Sequence, residues 1–150
     1  MDYSLIFEQQ YMKQKYSHLF LFALLLLCGC GDESTKPAVT QNNNLEDIES
    51  KAQFDVDIET GTSLIFYHAS WCTRCAAQRP AVETIAKESA FSSVYFGEVE
   101  YEDFSDIVTE REVTGFPTIV IYKDNKEIKR FAGQGHLEDE IRNSLTEALK

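Results

Sequence analysis

Positive charge and cysteine are the two things this 150-residue sequence has little of. Lysine and arginine number 14 against 25 aspartates and glutamates, a formal net charge of −11. Nucleic acid needs a Lys/Arg footprint for its phosphates and anionic lipid needs a basic patch, so neither is a natural electrostatic partner. Four cysteines are too few for a scaffold held by disulfides. Only one Cys-x-x-Cys is present and no suitable pair of histidines, so a structural zinc site lacks its four ligands. The longest apolar run, Leu19–Leu27, falls well short of the ~20 residues that span a membrane. What is present is a 43% hydrophobic and 12% aromatic composition, enough to bury the core of one ordinary domain.

The first thirty residues read as an address. Lys13 and Lys15 precede the apolar run, and small residues follow it at once in Cys28-Gly29-Cys30. A positive stretch, a 7–15-residue apolar core and small residues at the end describe an export signal, and an ordinary signal or short anchor is the plainer reading. Leu27-Cys28-Gly29-Cys30 resembles the lipobox of bacterial lipoproteins. That resemblance implies cleavage before Cys30, lipidation of its sulfur, and a mature protein anchored on the periplasmic or outer side of a membrane. Asp2 and Glu8 ahead of the basic stretch suit a signal poorly, which favours Met12 as the start. Residues 31–44 are polar, with three consecutive asparagines, and read as a tether. As a coil it would reach about 20 Å. The expected organisation is a signal over 1–29, a lipidated cysteine and tether over 30–44, and one domain over 45–150.

Within that domain the pattern predicts α-β-α-β-α-β-β-α. Leu45, Ile48, Ala52 and Phe54 suggest a short helix. Leu64–Ala69 is a continuous apolar run of strand length, as expected for a strand covered on both faces. Residues 76–89 carry a helical apolar face, 94–101 a second strand, and 104–112 another helix. Thr118–Tyr122 and Glu127–Phe131 form a hairpin around Asp124-Asn125, and Leu137, Ile141, Leu145 and Leu149 mark a closing helix. Strands separated by helices imply a parallel α/β sheet, with the hairpin as an antiparallel edge.

The chemistry lies in Cys72-Thr73-Arg74-Cys75, placed where the buried strand gives way to a helix. Unpaired amides and the macrodipole at a helix N-terminus favour an anion, so the first thiol there ionises easily. A two-residue spacing sets both sulfurs on one turn, and Arg74 adds a cation between them. Cys72 is then the exposed nucleophile and Cys75 the resolving thiol.

The stretch Phe66–Pro80, containing Trp71-Cys72-Thr73-Arg74-Cys75 and then Pro80, resembles the thioredoxin family. Val113-Thr114-Gly115-Phe116-Pro117-Thr118 supplies a second mark and Gly133 a third. The resemblance covers about 45–150 and implies a thioredoxin fold, a central mixed sheet flanked by helices. It also implies a cis Pro117 beside the cysteines, a contact surface at Trp71, and a substrate segment held along Phe116 and Pro117. A copper-delivery relative would need wider cysteine spacing and a distal histidine, for which His136 is the late candidate.

Three departures from the family bear on mechanism. Thr73-Arg74 replaces Gly-Pro between the cysteines, and a cation there stabilises the Cys72 thiolate and so raises the potential. Phe66 stands where the family has a buried aspartate. Glu98 stands where it has a lysine, making Glu98 either a substitute general base for Cys75 or a solvated strand residue. His68 either tunes the cysteine pair or packs at a strand end.

Together these features point to an exported, membrane-tethered thiol–disulfide oxidoreductase, a monomer acting more as a reductant on protein thiols and disulfides. No metal or organic cofactor is expected, since the Cys72–Cys75 pair is itself the redox group. A reductant needs an electron donor across the membrane and an oxidase a quinone-linked partner. The alternatives are a dithiol oxidase or isomerase, or a non-catalytic binding module on the same fold.

Overall fold

The computed structural model describes residues 45–133 and 135–150. The expected signal, the lipobox with Cys30, and the tether lie outside the described residues. Among the described residues no helix is long and apolar enough to cross a membrane.

Strand β2 (Thr62–His68) sets the architecture. Six of its seven residues are buried, because the alternating side chains of a central strand enter two different cores. Leu64 and Phe66 point into one cluster with Val82, Ile85, Ile119, Ile121, Ile141 and Leu145. Ile65 and Tyr67 point into the other, with Phe54, Ile58, Val99, Ile107, Val120 and Tyr122. Helices α2 (Thr73–Ala86) and α4 (Glu138–Ala148) cover the first face. Helices α1 (Lys51–Glu59) and α3 (Ser105–Glu110) cover the second.

The remaining strands are β1 (Glu46–Asp47), β3 (Tyr95–Glu100), β4 (Thr118–Lys123) and β5 (Lys126–Ala132). Their order in the sheet is β1-β3-β2-β4-β5. β1 and β2 run parallel to β3, whereas β4 is antiparallel to β2 and β5 antiparallel to β4. The hairpin therefore supplies two strands, of which β4 is internal and only β5 forms an edge. The hairpin lies at the antiparallel edge of the sheet as expected, and the apolar TIVIY run of its inner strand is buried on both faces. Both turn residues, Asp124 and Asn125, have positive φ (50° and 63°), the conformation a two-residue hairpin turn demands. Asp124 Oδ1 also accepts from Gly61 N at 2.8 Å, pinning the hairpin tip to the loop ahead of β2.

The differences from expectation lie at element ends. The expected helix through Leu45–Phe54 is instead β1, a break, and α1, whose first turn is capped by Ser50 Oγ accepting from Gln53 N at 3.1 Å. Helix α2 begins at Thr73 rather than 76. Leu137, expected on the closing helix's apolar face, precedes that helix and is 66% exposed.

Directionality gathers four loops at one end of the sheet. The C-terminal ends of β2 and β3 lie side by side, with His68 paired to Glu100. The antiparallel β4 begins there, Thr118 pairing with Ala132 at the end of β5. The cysteines, Tyr101, Pro117 and Gly133 all follow or precede these ends.

Candidate active site

After β2 the chain leaves the sheet through Ala69–Trp71, and Cys72 becomes the N-cap of α2. Its Sγ accepts from Cys75 N at 3.1 Å, and its carbonyl accepts from Cys75 N and Ala76 N. A sulfur so placed faces the unpaired amides of a first helical turn, an environment that lowers a thiol's pKa when the pair is reduced. The Cys72 and Cys75 sulfurs are 2.10 Å apart, closed as a disulfide. Cys72 is half-buried whereas Cys75 is 4% exposed, so an incoming disulfide can reach only the first. Thr73 and Arg74 between them are exposed.

One aromatic wall flanks the disulfide. Trp71 is 67% exposed and meets Phe116 edge-on, ring centroids 6.1 Å apart. Tyr101 extends the wall from the loop after β3, 5.4 Å from Phe116. The Trp71 loop is anchored from behind: Ser70 Oγ donates to Glu102 Oε1 at 2.8 Å, and Ser70 N donates to Oε2. That hydrogen bond to Ser70 holds the Glu102 carboxyl below its usual range. The Phe116–Pro117 peptide is cis, and Gly133, at φ 89°, donates its N–H to Pro117 O at 2.9 Å. Thr118 Oγ1 closes the preceding turn on Gly115 O.

On the α2 face of the sheet lies a charged cluster. Glu98 follows Phe96 on that face by strand alternation, and its side chain is only 11% exposed. Arg79, one turn beyond Cys75 on α2, places Nη2 2.6 Å from Glu98 Oε2. His68 Nε2 stands 3.4 Å from the same oxygen, and its ring stacks on Phe66. The Arg79 guanidinium lies 5.4 Å over the other participant in that stack, the Phe66 ring. Burial pushes the Glu98 carboxyl up, Arg79 pulls it part of the way back, and Asp47 on β1 raises it further. Burial, then Arg79, push His68 down, which leaves a neutral imidazole at pH 7. Glu98 is therefore no solvated strand residue.

The two groups affect stability in opposite senses. With its folded pKa lowered, His68 contributes stability that is complete above 6.5 and lost as pH falls through the lowered value. With its folded pKa raised, Glu98 contributes stability that is complete below 4.5 and lost as pH rises through the raised value. His68→Gln should accordingly lose less stability than wild type between pH 7.5 and pH 5 in urea unfolding. An equal loss would mean that His68 accepts a proton in the folded state without penalty.

Three residues of this site escaped the sequence reading. Tyr101 looked like the tail of a strand, and nothing in the helical pattern singled out Arg79. Gln78, 4% exposed on the same stripe as Cys75, Val82 and Ile85, carried the one usable signal: an amide among apolar positions.

Comparison with known proteins gives a consistent result. The thioredoxin family model matches residues 46–147. A thioredoxin from Chlamydia caviae is 34% identical over 86 residues, covering 57% of this chain and 82% of that one. Thioredoxin-2 of Saccharomyces cerevisiae is 28% identical over 57% of this chain and 83% of its own. The crystal structure of a Malassezia sympodialis thioredoxin superimposes with a TM-score of 0.64 at 25% identity, covering 71% of this chain and 92% of that one.

Proposed function

The chain belongs to the thioredoxin family and is a thiol–disulfide oxidoreductase, and on that premise we propose that it reduces protein disulfides through Cys72 and Cys75 while tethered to a membrane through Cys30. The observation that carries the assignment of roles is the asymmetry of the pair: Cys72 at the helix cap and open, Cys75 one turn in and covered.

The reduced Cys72 thiolate attacks one sulfur of a client disulfide. A mixed disulfide forms, and the client's other sulfur leaves as a thiolate that takes up a proton. Cys75 loses its proton and attacks Cys72 Sγ, which breaks the mixed disulfide and expels the second client thiolate. The client has gained two electrons and the enzyme ends as the closed disulfide. A two-electron donor must restore the dithiol, and outside the cytoplasm that donor is a membrane-spanning thiol carrier. Trp71 and Phe116 present the apolar surface along which an extended client segment lies, with Pro117 beneath it.

The deprotonation of Cys75 falls to Glu98. It shares the α2 face with Cys75, its neighbour Phe66 packs in the same cluster as Cys75, and burial holds its carboxyl above the usual carboxylate range. Glu98→Gln should slow client reduction at pH 7 by up to about 10²-fold, at the low end for a lost general base. The deficit should shrink as pH rises. An unchanged rate would remove Glu98 from the mechanism.

Direction is decided by one measurement, the reduction potential of the Cys72–Cys75 couple against glutathione. Arg74 stabilises the reduced form, so the value should lie above thioredoxin's, about −270 mV, but well below about −120 mV. A value at the upper figure would make the protein a dithiol oxidase. The anchor is tested separately: Cys30→Ser should move the protein from the membrane pellet to the soluble fraction, and no change would sink the tether.

A further inference from the structure

Gln78 has a buried carboxamide with a defined set of partners. Its Oε1 accepts from Gly135 N and from His136 N, both at 3.1 Å, and its Nε2 donates to His136 O at 2.9 Å. Three of the four hydrogen bonds an amide side chain can make are thus spent on the segment joining β5 to α4. At its near end, Gly133 hands its N–H to Pro117 O at 2.9 Å. Gly133 and Gly135 both have positive φ (89° and 84°), a backbone conformation that glycine adopts without strain. The His136 ring, 5.1 Å from Phe131, adds a contact to β5 rather than to α2.

A closed circuit results. It runs from Cys75 along one turn of α2 to Gln78, across to Gly135 and His136, back to Gly133, and onto Pro117. The disulfide helix, the Pro117 turn and the Gly133 segment are three of the four stretches of chain that meet at this end of the sheet. Gln78 is the side chain that ties the first to the third. No substitute of similar size does the same: glutamate cannot donate to His136 O, and leucine would leave two amides and a carbonyl without partners.

We propose that Gln78 is a positioning residue that holds Gly135 and His136 against α2 and so fixes the third wall of the client cleft. It acts on client affinity and not on sulfur exchange, and it rests on the oxidoreductase reading above. A large client needs all three walls, whereas a small aromatic disulfide needs only access to Cys72.

The test compares steady-state reduction of insulin with reduction of 5,5′-dithiobis(2-nitrobenzoate). Gln78→Leu should raise KM for insulin about tenfold, the effect of roughly one lost positioning interaction, with kcat within twofold. Its rate with the small disulfide and its reduction potential should match wild type. Gln78→Glu keeps the shape and both acceptor contacts, loses the donor, and should fall between; it stands in should the leucine variant not fold. An unchanged KM for insulin, or an equal loss with both substrates, overturns the proposal. A wild-type protein that reduces neither substrate would instead overturn the oxidoreductase reading itself.

Discussion

Cys75→Ser protein, reduced and mixed with a disulfide-bearing client, should accumulate as a covalent adduct through Cys72, with turnover reduced by at least about 10³-fold. The reason is positional. Cys72 Sγ sits at the α2 cap, against the first-turn amides, and remains open to attack a client sulfur when its partner is gone. Only the second step needs Cys75, so the mixed disulfide forms and is not resolved. Cys72→Ser should give the reverse picture, equal loss of turnover and no adduct, because Cys75 at 4% exposure cannot meet an external disulfide. Non-reducing electrophoresis with mass spectrometry of the adduct distinguishes the two. Trapping through Cys75 in place of Cys72 would invert the assigned roles, and trapping by neither variant would leave a binding module on an oxidoreductase fold.

Phe54→Ala should be the most damaging core substitution that leaves the chemistry untouched. Phe54 is fully buried on the face of the sheet opposite α2. Its ring meets Tyr122 edge-on with centroids 6.4 Å apart, and the Arg111 guanidinium lies 5.1 Å over it. Arg111 is also paired to Asp55, and Tyr122 shares a 2.9 Å hydroxyl contact with Tyr67. Removing the ring opens a cavity and takes away the platform on which the Arg111 charge is half-buried. Deleting a buried aromatic costs about 3–5 kcal/mol, a large share of the 5–15 kcal/mol that holds a domain of this size. The melting temperature should fall by at least about 12 °C. The folded fraction should still reduce insulin within twofold of wild type, since Cys72, Trp71 and Pro117 belong to the other end and face. A drop of only a few degrees would show that the second core tightens around the loss.

The residues whose types the chemistry demands were legible in the sequence. No other residue does what Cys72, Cys75 and Pro117 do, and the continuous run of β2 announces a strand covered on both sides. What escaped depends on contacts between distant segments. β1 is two residues long and exists only because Glu46 and Asp47 pair with Gly97 and Glu98. Four apolar residues from Leu45 to Phe54 mimic one helix, although Ser50 with Gln53 three residues on marks where the real one begins. Thr73 and Arg74 have no apolar content, so periodicity starts α2 too late. Arg79 and Tyr101 gain their importance from Glu98 and Phe116, which lie 19 and 15 residues away along the chain.

The order of the strands also bears on how the protein behaves in company. In the sheet of the described residues, β1 and β5 are the open margins, and each exposes backbone groups that could recruit a strand from another molecule. β1 offers too few residues to template such pairing. β5 is longer, but the charged Lys126, Glu127, Lys129 and Arg130 occupy it, the kind of composition that blunts an edge strand. Molecules held side by side at a surface by the proposed anchor meet far more often than molecules in free solution. A margin that is either short or charged keeps such crowding from becoming aggregation, while the apolar surface at Trp71 stays open for clients.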